Sequence, residues 1–121
     1  MGARRRELDT SQLARRIADI LADKLAEDVV VMDLQGATTF ADYFVIASGT
    51  SERQIQALAD ALAETLRDEG VRHIRSEGTA ESGWVLLDIS GVVVHLFSPE
   101  RRAYYRLEHL WSGARVVVRI A

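Results

Sequence analysis

The order of patterned segments predicts an α/β sandwich, a mixed β-sheet of about five strands with helices packed on it. Three observations carry this. Helix-spaced apolar stripes alternate with β-branched runs in the first half of the chain. A helical stripe separates the second and third strand segments, which calls for a crossover connection. Two apolar runs around Ser90-Gly91 read as a tight antiparallel hairpin.

Each element follows from its residues. The first helix is expected from Thr10 to Ala26, where Leu13, Ile17, Ile20, Leu21 and Leu25 recur on one face. Asp9 is placed to cap it, with Gln12 three residues on. Val29 to Leu34 is β-branched and reads as a strand. Asp42 to Ala47 is nearly all apolar, the pattern of a strand buried on both faces. Ser48-Gly49-Thr50-Ser51 leads into a second helix reaching about Glu69, with Ile55, Leu58, Leu62 and Leu66 as its stripe. Ser51 and Gln54 have capping-box spacing, and Gly70 stands where a left-handed terminator belongs. Val71 to Arg75 reads as a short polar edge strand, and Ser76 to Gly83 as a loop. Trp84–Ile89 and Val92–Phe97 form the hairpin. Ser98-Pro99-Glu100 opens a third helix with a good cap, a first-turn proline and an acid at the positive end of the dipole. That helix is expected to reach Ser112-Gly113, with Ala103, Leu107 and Leu110 as core stripe and Tyr104 and Trp111 beside it. Tyr105 and Arg102 are expected to face outward. Arg115 to Ile120 reads as a last strand, conditional on a partner.

The chain has 121 residues, a net charge of -3, 48% hydrophobic residues and no cysteine. That length fits one domain. The expected organisation is a flexible N-terminus over residues 1–9, one domain over 10–112, and a tail over 113–121 that could form an edge strand. The missing cysteine removes disulfides, thiolate nucleophiles and Cys-based zinc sites, and fits a cytoplasmic protein. No apolar run approaches the ~20 residues of a membrane span. The acidic balance argues against coating nucleic acid by bulk charge. The charge is uneven, however: residues 99–121 carry +3 and the first 98 carry -6.

With Ile89 opposite Val92, Leu86 faces His95 and Asp88 faces Val93. Side-chain alternation then puts Trp84, Leu86, Asp88, Val93, His95 and Phe97 on one face, and only aliphatic residues on the other. The aliphatic face must be core. The mixed face has three readings: Asp88 is a structural hydrogen-bond partner of His95, the two form an acid–base dyad, or the face is a recognition surface. Ser48 to Ser51 precedes a helix, where backbone N–H groups can hold a phosphate, but it lacks the P-loop lysine and capping alone explains it. A nucleotidyltransferase reading needs paired acids for magnesium, and the residue two after Asp88 is Ser90. His73, His95 and His109 lack zinc-ligand spacing. The third helical segment combines Tyr, Trp and Arg, the types that carry binding energy at interfaces.

Together, Asp33-Leu34-Gln35-Gly36, Ala41 to Ser51, Glu77-Gly78, Trp84 to Asp88, Val92 to Phe97 and Tyr105-x-Leu107-Glu108-x-Leu110-Trp111 resemble the ribosomal silencing factor family, also called RsfS or Iojap-like. The resemblance spans about Thr10 to Trp111. It implies a non-catalytic relative of the nucleotidyltransferase fold, with no cofactor and no metal. It implies binding to the large ribosomal subunit through its fourteenth protein, uL-fourteen, and a block on small-subunit joining that represses translation in starvation or stationary phase. Organellar members are linked to large-subunit assembly. The contact surface it implies draws on Trp84, Asp88, His95, Tyr105, Leu107, Glu108 and Trp111, and leaves room for a minor rRNA contact and for a homodimer. The family usually has Gly-Asp at the hairpin turn, where this chain has Ser90-Gly91. The competing readings are a small nucleotidyltransferase-like enzyme using Asp88 and His95 near Ser48–Ser51, and a generic dimerisation module.

Overall fold

A computed structural model describes residues 9–109 and 113–120. The described elements run α1 (Thr10–Asp23), β1 (Glu27–Asp33), β2 (Tyr43–Ser48), α2 (Glu52–Asp68), β3 (Ile74–Thr79), β4 (Trp84–Ile89), β5 (Val92–Phe97), α3 (Pro99–Tyr105) and β6 (Arg115–Ile120). Short 3-10 turns lie at Ala80–Ser82 and Leu107–His109. The strands form one six-stranded sheet in the order β3-β4-β5-β2-β1-β6. β2 and β5 pair in parallel and all other neighbours are antiparallel, so the sheet is mixed as the sequence predicts. Most of the N-terminal stretch expected to be flexible, residues 1–8, lies outside the described residues.

Alternation divides the core in two. On one face, Val29, Val31, Val45, Ala47, Val85, Leu87, Ile89, Val92, Val94 and Leu96 pack against the stripes of α1 and α2. On the other, Val30, Met32, Leu34, Phe44, Ile46 and Phe97 form a smaller cluster with Ala41 and Leu107. Asp9 and Gln12 complete the capping box of α1. The Ser90-Gly91 hairpin turn has both residues at positive φ, 49° and 92°, the type I′ geometry that suits the strand twist.

Several expectations are corrected. Helix α1 stops at Asp23, short of Ala26. Leu25 adopts φ 68°, the Leu25 N–H donates to Ala22 O and the Ala26 N–H to Leu21 O, which is the Schellman termination pattern. Leu25 is therefore 77% exposed and Ala26 enters the core instead. Gly70 ends α2 in the same way, as expected. Ser51 caps α2 through the Gln54 N–H, but the Gln54 side chain accepts from Thr50 rather than returning to Ser51, so only half the box forms. Strand β3 lies three residues beyond its expected start and takes in Ser76 to Thr79. At a sheet edge only one side of the strand is bonded, so a run of Ser, Glu, Gly and Thr is accommodated. Helix α3 ends at Tyr105 because Arg106 adopts φ 51°. The long stripe through Leu110 therefore does not exist as one helix. Ala103 is exposed, Tyr104 is 75% exposed, and Arg102 is the residue buried. Arg115 to Ile120 does find a partner, pairing with β1 as an edge strand.

Candidate functional site

The mixed face has the register the sequence predicts. Leu86 pairs with His95, Asp88 with Val93 and Trp84 with Phe97; on the other side of β5, Phe44, Ile46 and Ser48 of β2 pair with Val93, His95 and Phe97. Trp84, Leu86, Asp88 and Val93 are half-buried along this face, whereas their neighbours Val85, Leu87 and Ile89 are buried under α2. Two helices roof the aliphatic face. On the mixed face the seven-residue α3 and the turn after it bring Tyr105 and Leu107 against one end.

At that end the rings form a continuous cluster. Trp84 lies 4.5 Å between centroids from Tyr105 and 4.9 Å from Phe97. His95 meets Phe44 edge-on at 4.5 Å and stacks with Phe97 at 6.0 Å. Tyr104 stands edge-on to Tyr105 at 5.0 Å and projects into solvent. Tilted and edge-to-face contacts at these distances are favourable ring geometries, so the cluster holds Trp84 and Tyr105 in place while leaving part of each uncovered.

His95 is the buried centre of the cluster. Its Nδ1 accepts from Trp84 Nε1 at 3.2 Å, which makes Nε2 the protonated nitrogen of the neutral ring. Among the described residues Nε2 has no hydrogen-bond partner. Burial pushes the His95 pKa down to about 4, so the imidazole is neutral at physiological pH. Its partner is thus Trp84, not Asp88, and both the structural pairing and the acid–base dyad are corrected. Asp88 opposes Val93 and forms no described hydrogen bond or ion pair with His95. It is also separated from Ser48 by four residues along the strands, on the order of 13 Å. In the Ser48–Ser51 loop, the N–H groups of Thr50 and Gln54 are taken by the Gln54 and Ser51 side chains. The loop is occupied by capping.

The residues implied by the resemblance separate by position. Trp84, Asp88 and Tyr105 are half-buried, and His95 and Leu107 are buried beneath them. Glu108 falls in the 3-10 turn Leu107–His109. Trp111 lies outside the described residues.

Sequence reasoning assigned Arg102 to the solvent. In the fold Arg102 Nη1 donates to Asp28 O at 2.7 Å and to Ser48 Oγ at 3.0 Å, and Nη2 lies 3.5 Å from the Asp28 carboxylate. Arg119 approaches the same carboxylate at 3.1 Å. Arg102 thereby fixes α3 to the ends of β1 and β2, and through α3 it sets where Tyr105 stands. No local signal marks it, because its partners lie 54 and 74 residues away.

Comparison with known proteins identifies relatives of the whole chain. The family model described as "Ribosomal silencing factor during starvation" matches residues 7–120. A protein named ribosomal silencing factor RsfS from Halalkalibacterium halodurans is 39% identical over 110 residues, covering 91% of this chain and 94% of its own. The protein of the same name from Bacillus subtilis is 42% identical over 92 residues, 76% of this chain and 78% of its own. A crystal structure of a Chromobacterium violaceum protein superposes with a TM-score of 0.82 at 32% identity, covering 92% of this chain and 94% of that one.

Proposed function

Since the chain belongs to the ribosomal silencing factor family, we propose that it binds the large ribosomal subunit through uL-fourteen and sterically prevents the small subunit from joining. The observation that carries this reading is the asymmetry of the sheet. One face is roofed over its centre by α1 and α2, and the other presents Trp84, Tyr105 and Asp88 half-open on a rigid aromatic base. Aromatic anchors beside a polar group are the composition of a protein-binding surface.

In this reading Trp84, Tyr105 and Asp88 touch the partner. His95 and Leu107 shape the platform, and the family resemblance adds Glu108 and Trp111 to the contact residues. The net charge of -3 favours a basic protein partner and disfavours bare rRNA. Repression follows from occupancy: a folded domain stands where the small subunit docks, with no turnover required. The same surface acts in the cytoplasm during starvation, and the +3 charge of residues 99–121 supplies a minor rRNA contact at its margin.

Co-sedimentation with purified large subunits tests the binding step. The chain should pellet with large subunits at moderate salt, and added chain should lower the yield of joined ribosomes when small subunits are supplied. Failure to co-sediment overturns the proposal. Co-sedimentation without any loss of joining retains the binding and rejects occlusion.

A further inference from the structure

The two edges of the sheet differ in a way that the proposed ribosome-binding surface does not involve. At β6 the pairing with β1 shifts register, with Val118 opposite Val31 and Val116 opposite Met32, so Val117 bulges out of the ladder. Arg115 and Arg119 of that strand are tied to Asp33 and Asp28. Such a bulge blunts an edge against further pairing. At β3 the six residues pair with β4 in unbroken register from Ile74–Ile89 to Thr79–Trp84. Among the described residues β3 has no neighbour on its outer side.

Beside this free edge, on the helical side, a groove of about 550 Å³ runs between α2 and β3. Small side chains, Ala63 of α2 and Ser76 of β3, keep it open. Its α2 wall carries Asp60, Glu64 and Asp68, against the single guanidinium of Arg67. Among the described residues none of the three carboxylates forms an ion pair; Asp60 accepts one hydrogen bond, from Gln56. They recur every four residues, about 6 Å along the helix. Alternate residues of an extended strand recur at about 6.7 Å, close enough for three successive pairs to stay matched.

We propose that the β3 edge receives an extended basic segment of a partner protein. The segment adds a seventh strand to the sheet and directs alternate Lys or Arg side chains across the groove at Asp60, Glu64 and Asp68. Main-chain hydrogen bonds supply the attachment and the carboxylate row selects the sequence, the division of labour of strand addition. The site lies at the sheet edge, on the side opposite the aromatic face, so both surfaces can be occupied at once.

The test uses a fluorescein-labelled Lys-Thr-Lys-Thr-Lys-Thr-Lys peptide and the full chain, read by anisotropy. Two further peptides carry backbone N-methyl groups at the Lys positions or at the Thr positions. Only one set of amides faces the edge in a strand, so one methylated peptide should bind like the parent and the other about tenfold more weakly or not at all. The Asp60→Asn/Glu64→Gln variant should also weaken parent binding about tenfold and should co-sediment with large subunits as the unsubstituted chain does. Equal binding of the two methylated peptides, undiminished binding to the variant, or no binding at millimolar peptide overturns the proposal. So does loss of subunit co-sedimentation by the variant, which would make the groove part of the ribosome-binding surface.

Discussion

The two faces of this sheet are built from the same strands by opposite rules. Along β4, Val85, Leu87 and Ile89 disappear beneath the helices, while Trp84, Leu86 and Asp88 one residue away stay half-open. Along the hairpin the covered face is closed by aliphatic side chains alone. On the other face β1 and β2 are buried in a second cluster, rings gather around a buried histidine, and the β4 side is left half-open. The lesson is that one face answers for the existence of the fold and the other for the shape it presents. Substitutions should separate those two roles.

The largest effect is expected on the covered face. Leu62 is fully buried between α2 and the sheet, and Leu62→Ala should cost about 2–5 kcal/mol in chemical denaturation. A loss below 1 kcal/mol would erase the distinction between the faces.

Next in size is the pH response of the ring cluster. The pKa of His95 falls from 6.5 to about 4 on folding. The unfolded chain therefore binds a proton at a pH where the folded chain does not. Its neutral burial is tolerated in full above pH 6.5, and stability is lost as pH falls from 6.5 toward 4, by up to about 3 kcal/mol. Denaturation across that range should show the slope, and His95→Phe should flatten it. An unchanged slope in the variant would place the titrating group elsewhere.

A smaller and different effect belongs to the open face. Tyr105→Ala should weaken large-subunit binding by about tenfold or more, roughly 1.4 kcal/mol, while costing less stability than Leu62→Ala. If binding holds and stability falls instead, Tyr105 belongs with the core and the faces are less distinct than drawn. The smallest effect is outside both faces. Arg16 holds the Glu69 carboxylate below its usual pKa through an exposed hydrogen-bonded pair. Glu69→Gln should nonetheless cost at most about 1 kcal/mol, because solvent screens the pair.

Much of this was legible in the sequence, for identifiable reasons. The hairpin was readable because a two-residue turn fixes register, and register then assigns every side chain to a face. Register alone therefore groups Trp84, Asp88 and His95 on one face. The hydrogen bond within the group was not readable. Alternation says which residues share a face, but ring orientation decides whether Trp84 or Asp88 reaches His95. Helix α3 failed differently: a periodic stripe assumes an unbroken helix, and nothing in Arg106 announces a left-handed residue. The inward turn of Arg102 follows from Asp28 and Ser48, which are distant in sequence. Strand β3 was misplaced because edge strands relax the apolar rule on which the sequence reading depends.

The pairing of β6 with β1 joins the last described strand to the first, across more than eighty residues. This has a consequence in time. During synthesis β1 and β2 emerge early, yet the outer side of β1 stays unpaired until Ile120 is made. Contacts that span so much chain are slow to close, and domains complete only when their last element is available. The sheet therefore finishes after elongation through this region is over.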